Sequence, residues 1–431
     1  MKIEDYALIG DCQSAALVGR DGSVDWLCWP RFDSPACFAK LLGTEEHGHW
    51  RIAPAKPHKS TRRYRGCTLI LETEYETEDG AVTVIDFMPV RTENPDLVRI
   101  VVGRRGRVKL DMELVARFEY GSAVPWVTRL PDRKGIRAIA GPDKMLLRSP
   151  VALHGENMKT RASFEVKAGD KLAFDLTWCP SHYPDPQVLD ADRALAETEA
   201  HWRTWCERCS PPAEWADPVL RSLITLKALT YAPTGGIVAA ATTSLPEKIG
   251  GVRNWDYRYC WLRDATITLL ALMNGGFQEE AAAWREWLVR AVAGTPEQMQ
   301  IMYGLAGERR LDERTLDWLP GYEGSKPVRI GNAACGQLQL DVYGEVMDAL
   351  YVGCKTGLSG SDAAWDLQRA LLAHLENCWT EPDSGLWEVR GPARHFTYSK
   401  VMAWVAFDRG VKSVEQYGYE GPVERWREVR A

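Results

Sequence analysis

The chain has 431 residues, 45% of them hydrophobic and 26% charged, a balance that excludes disorder as the main state and suits two or three cores of roughly 100–200 residues each. Its 53 Lys and Arg against 59 Asp and Glu leave a net charge of −6, without the basic stripe of a nucleic-acid binder or any attraction to anionic lipid. No apolar run approaches the roughly 20 residues that a membrane helix needs, and residues 1–14 carry acids where a secretory core would stand, so a cytoplasmic location is expected.

In chain order, roughly the first 200 residues read as β. Val108, Leu110, Met112 and Leu114 alternate with polar residues, the mark of a half-buried strand. Leu71, Thr73 and Tyr75 face away from Glu72, Glu74 and Glu76, and residues 81–90 read as a further strand. Phe164 and Val166 alternate, as do Leu172, Phe174, Leu176 and Trp178, and Ala168-Gly169-Asp170 between them predicts a hairpin turn. Many antiparallel strands with Gly and Pro turns predict a sandwich.

Beyond residue 190 the period changes to that of a helix. Residues 192–209 predict a linking helix. Later, Leu262, Ala265, Leu269 and Leu272 share a face, as do Val342, Val346 and Leu350, and Leu367, Leu371 and Leu375. Roughly six or seven helices are expected from Asp217 onward. Residues 310–332 form a long irregular connection of the kind that often carries function. The expected architecture is an antiparallel β-sandwich followed by an all-α domain.

Eleven cysteines stand scattered, and Cys206-Glu207-Arg208-Cys209 has no second CxxC and no His pair nearby. Reduced thiols are therefore expected, and no metal site. There is no GxSxG, no HExxH, and the eight His show no ligand spacing. Cofactor-free chemistry with carboxylates is the economical expectation.

Three segments concentrate unusual residues. Residues 253–264 hold three Arg, two Asp and four large aromatics just ahead of an apolar helix. Aromatic faces stack on sugar rings while Asp and Arg bond hydroxyls; from composition alone the plainer reading is a helix entry, with Asp264 on the positive dipole end and the aromatics in the core. Residues 319–332 form a Gly/Pro loop with Tyr322, Arg329 and Asn332 available to a ligand and no phosphate-loop spacing. In Gly385-Leu386-Trp387-Glu388, a Glu beside a Trp suits a raised carboxyl pKa and a general acid; an ion pair of Glu388 with Arg390 is the other reading.

Taken together, these segments resemble glycoside hydrolase family 15, the glucoamylase and trehalase family, in its prokaryotic form. The runs Ile3 to Asp11 and Gly22 to Pro35 look like the opening of its trehalase-like N-terminal domain. The resemblance covers the whole chain. It implies a trehalase-like N-terminal β-sandwich domain with a linker helix at 1–205, and the N-terminal half of an (α/α)6 barrel at 206–431. It further implies an exo-acting, inverting hydrolase of α-glucosides, either trehalose or maltooligosaccharide and starch-type glucans. Trp261-Leu262-Arg263-Asp264 matches the family's W-x-R-D motif, where Arg and Asp bind sugar hydroxyls. Arg329 falls in the next pocket loop, Glu388 on the general acid, and Trp255, Tyr322 and Trp387 on the pocket wall. The family's general base is not found in this chain, which reads as C-terminally truncated. A non-catalytic fragment or sugar-binding protein therefore stays open, as does a phosphorylase that uses phosphate in place of the base. Helix faces left uncovered by a partial barrel predict self-association.

Overall fold

The computed structural model describes residues 1–209, 211, 213–355, 357 and 362–431. They form two compact units. The first comprises Met1–Leu229, Ala241–Trp255 and Thr315–Val328; the second comprises Thr230–Ala240, Asp256–Arg314 and Arg329–Ala431. No helix of the described residues is long and apolar enough to cross a membrane.

The first unit is an antiparallel sandwich organised by the strand Asp96–Val115. Its early half pairs with Gly80–Phe87 and Lys171–Pro180, and its late half with His49–Pro54 and Lys159–Lys167. One strand thus serves both layers. Val108, Leu110, Met112 and Leu114 are all buried, as their alternation predicts. Between the halves the strand bends at two glycines. A Cβ on Gly103 would stand 1.9 Å from the Lys167 carbonyl oxygen, and Gly106, at φ +61°, would bring one to 2.0 Å from that of Asp79; no side chain fits either place.

The hairpin expected across residues 168–170 does not form. The turn itself exists, with Asp170 N donating to Lys167 O at 3.0 Å, but the strands it joins pair with different halves of Asp96–Val115. Gly169 N donates to Gly103 O at 3.0 Å and Gly103 N to Asp170 O at 2.9 Å, anchoring the crossing point. Phe164 and Phe174 then approach ring to ring at 5.5 Å within one shared core. Burying both apolar sets outweighs the local pairing that a short turn would favour.

A helix, α1 (Ala191–Cys206), is capped by Asp190, whose carboxylate accepts from the Asp192 and Arg193 amides. Ala194 and Leu195 on α1 cover Ile70, Phe87 and Ile100 of the sandwich. A second helix, α2 (Ala216–Ala228), follows.

The second unit holds α3 (Leu262–Asn274), α4 (Gln278–Ala291), α5 (Asp341–Lys355), α6 (Asp362–Cys378), α7 (Thr397–Tyr417) and α8 (Val423–Arg430). Leu262, Ala265, Leu269 and Leu272 form the buried face of α3, and Val342, Val346 and Leu350 that of α5. The helices α5 and α7 pack closely because Gly344 has no side chain; a Cβ there would meet the Met402 carbonyl at 2.2 Å. The helix α7 stops where Gly418 turns left-handed at φ +72°. Val401 and Trp404 lie exposed on α7. Part of the tryptophan content is plain scaffold: Trp365 stacks on Tyr419 at 4.6 Å and meets Trp426 edge-on.

Candidate active site

Cys260–Trp261, a two-residue strand pairing with Met302–Tyr303, leads directly into α3. Trp261 occupies the cap position with extended backbone and makes no capping bond. Its indole turns away to donate to Glu388 Oε1 at 2.7 Å. The next residues on α3 are Arg263 and Asp264, so the sequence W-x-R-D places an indole donor, a cation and an acid within one turn.

Arg263 is the hub. Its Nη2 lies 3.6 Å from Glu388 Oε1 and 3.5 Å from Asp264 Oδ2, and its Nη1 lies 3.7 Å from Asp341 Oδ2. Nη1 also donates to Gln339 Oε1 at 3.3 Å. Three acids therefore surround one guanidinium, none of them at close bidentate distance. Burial pushes the carboxyl groups of Glu388, Asp264 and Asp341 up from their ordinary values, with the Arg263 charge pulling back in each case. At Glu388 the Trp261 bond also pulls back, while Asp264 adds to the rise. Glu345, one turn along α5 from Asp341, is likewise raised by burial and accepts the Tyr398 hydroxyl at 2.5 Å.

The loop that carries Glu388 is held from several sides. Asp383 and Arg394 exchange two backbone bonds at 2.9 Å, Ser384 N donates to Leu338 O at 3.0 Å, and Asp383 Oδ2 accepts the Leu340 amide at 2.9 Å. Glu388 N donates to Gly385 O at 3.0 Å. Glu388 itself sits at φ +52°, a left-handed conformation that costs a non-glycine residue about 1 kcal/mol or more. The surrounding bonds hold that conformation and aim the carboxyl at Trp261 and Arg263. The ion pair of Glu388 with Arg390 does not form: Arg390 meets Glu313 at 3.0 Å.

The other candidates fall into place differently. Asp256 and Arg258, in the dense segment, make a buried bidentate pair at 2.8 and 2.7 Å, and Asp256 also accepts the Gly331 amide. They are scaffold for the 329–332 loop. Arg329 faces Glu313 at 3.5 Å. Trp387 is 75% exposed and so does not bury Glu388; the aromatic group against that carboxyl is Trp261. Trp255 and Tyr322 belong to the first unit, where the Trp255 indole donates to Glu247 at 3.2 Å and the Tyr322 hydroxyl to Met1 O at 3.2 Å. The CxxC cysteines are unbridged, and burial pushes the Cys206 thiol up to about 12, far from a reactive thiolate.

Asp341, Gln339, Glu345 and Tyr398 escape a reading of the sequence. Their signal is faint: two acids four residues apart at the start of an otherwise apolar helix, a place where the dipole alone accounts for Asp341.

Residues 1–202 match the trehalase-like N-terminal family, and residues 215–431 match glycosyl hydrolases family 15. The chain belongs to glycosyl hydrolase family 15. The trehalase of Mycolicibacterium smegmatis is 37% identical over 459 residues, covering 99% of this family 15 chain and 68% of the relative. That of Mycobacterium tuberculosis is 36% identical over 459 residues, at 99% and 67% coverage, and that of Thermoplasma acidophilum 32% identical over 435 residues, at 96% and 72%. A bacterial glucoamylase complexed with acarbose shares the fold, with a TM-score of 0.69 at 12% identity; the match covers 100% of this chain and 65% of the glucoamylase.

Proposed function

We propose that this family 15 chain carries the general acid, Glu388, and part of the sugar pocket of an exo-acting, inverting hydrolase of α-glucosides, trehalose foremost. The observation that carries the assignment is the setting of one carboxyl: raised by burial, yet bonded to the Trp261 indole at 2.7 Å and 3.6 Å from Arg263. Burial favours its protonated form, and the indole and the guanidinium stabilise it once it gives the proton away, as a general acid requires. Trehalose is preferred over longer glucans because the relatives above are trehalases and residues 1–202 match the trehalase-like N-terminal family.

In the proposed reaction the Glu388 proton passes to the glycosidic oxygen as the bond from that oxygen to C1 breaks. Inversion requires water to add to C1 from the opposite face and give its proton to a general base there, a role assigned to none of the described residues. Asp264 and Asp341 share Arg263 with the acid and so stand on the acid's side; neither is assigned the base. Arg263 and Asp264 bond hydroxyls of the released sugar, Trp261 lines its face, and Trp387 offers an open aromatic surface.

Inversion makes a direct expectation about products. Hydrolysis of trehalose followed by proton NMR should show one β-glucose and one α-glucose released per turnover, mutarotating afterwards. Initial release of α-glucose alone contradicts an inverting mechanism.

A further inference from the structure

Asp341 is fully buried, and neither of its carboxylate oxygens has a hydrogen-bond partner among the described residues. A buried charge so poorly satisfied is costly unless a cation compensates it. The cation facing it is Arg263, which turns its Nη1 arm to Asp341 at 3.7 Å and Gln339 at 3.3 Å, and its Nη2 arm to Asp264 at 3.5 Å and Glu388 at 3.6 Å. The guanidinium is thus stretched between the start of α5 and the loop that carries Glu388.

We infer that Asp341 is a positioning residue: it holds the Nη1 arm of Arg263 and so divides that cation's charge between itself and Glu388. The inference rests on the reading of Glu388 as the acid. With Asp341 in place, Glu388 feels only part of the attraction that would draw its proton off. When Asp341 is ionised, its negative charge opposes ionisation of Glu388 further, so both effects act in one direction. The titratable groups facing the cluster are Asp264 on α3, Glu345 on α5, Tyr398 on α7, and Asp383 in the loop that carries Glu388. All are acids, so Arg263 is the charge for which they compete.

The Trp261 indole N–H, bonded to Glu388, reports ionisation of that carboxyl without any need for turnover. Its nitrogen and proton shifts, followed by NMR against pH, should show an inflection that Glu388→Gln abolishes. In Asp341→Asn the inflection should fall by about one pH unit. An inflection that stays in place or rises overturns the inference. Gln339→Glu supplies a second test should Asp341→Asn not fold: a new acid on the same Nη1 arm should draw Arg263 away and raise the inflection, and a fall or no change overturns the inference equally. The acid assignment fails separately. If Glu388→Gln still hydrolyses trehalose, that assignment is wrong while the indole still reports on Asp341; if Glu388→Gln is inactive and Asp341→Asn leaves the inflection in place, only Asp341 has been misread.

Discussion

Two arginines, one in each unit, show how the same side chain serves stability in one place and chemistry in the other. In the sandwich, Arg99 is fully buried and fully used: it meets Asp86 at 2.8 and 3.3 Å and donates to the Trp50 and Gly22 carbonyls at 2.8 Å each. Its guanidinium also lies over the Trp50 ring, 5.2 Å from the centroid. One carboxylate, two carbonyls and an aromatic face satisfy it. In the helical unit, Arg263 is shared among three acids at 3.5 to 3.7 Å and satisfies none of them. A site built for stability closes its polar groups; a site built for chemistry leaves some of them open to a ligand.

Perturbed carboxyl groups do not by themselves make the second kind of place. Inside the sandwich, burial and mutual repulsion push Asp175 up to about 7, and burial pushes Asp96 up to about 6. Thr177 bridges the two, donating to Asp96 at 2.6 Å, and Arg148 stands 3.7 Å from Asp175. That pair lacks what Glu388 has: a strained loop that aims the carboxyl and a neighbouring W-x-R-D turn that receives it.

The contrast can be broken most forcefully at Arg99. Asp86→Ala leaves that buried guanidinium without its carboxylate and should cost about 3–5 kcal/mol of stability, read by urea denaturation followed by circular dichroism. A loss below about 1 kcal/mol would place Arg99 in the same class as Arg263. A smaller effect is expected at Asp175. Raised values in the folded state mean that stability from this pair is full at low pH and is lost as pH rises from about 4 through about 7. The slope is at most about 1.4 kcal/mol per pH unit for each proton. Asp175→Asn should flatten the decline in stability between about pH 4 and about pH 7; a decline as steep as before, measured by denaturant midpoints, removes the pair from the account.

Much of this arrangement was legible in the residues alone. The faces of α3 and α5 follow from apolar spacing, and the strand alternation at 108–114 from period two, because both depend on neighbours a few residues away. Trp261, Arg263, Asp264 and Glu388 stood out by type, and the fold brings these four together. The illegible parts are those set at long range. The turn at 168–170 looks like a hairpin until the strand Asp96–Val115, some 60 residues earlier in the chain, competes for both of its arms. Asp341 looks like a helix start until α3 and α5 pack and bring Arg263 to it. Trp387 looks like the apolar neighbour of Glu388, but adjacent residues in a loop point apart, and the exposed one is Trp387.

The central claim concerns a single carboxyl, and Glu388→Gln addresses it directly. Gln keeps the size of the side chain and an oxygen for the Trp261 indole, removes the proton donor, and leaves no new buried charge. Glucose release from trehalose by the chain with Glu388 and with Gln should differ by about 10²- to 10⁴-fold, with stability to urea unchanged or slightly higher. Equal, measurable release from the two proteins contradicts the account.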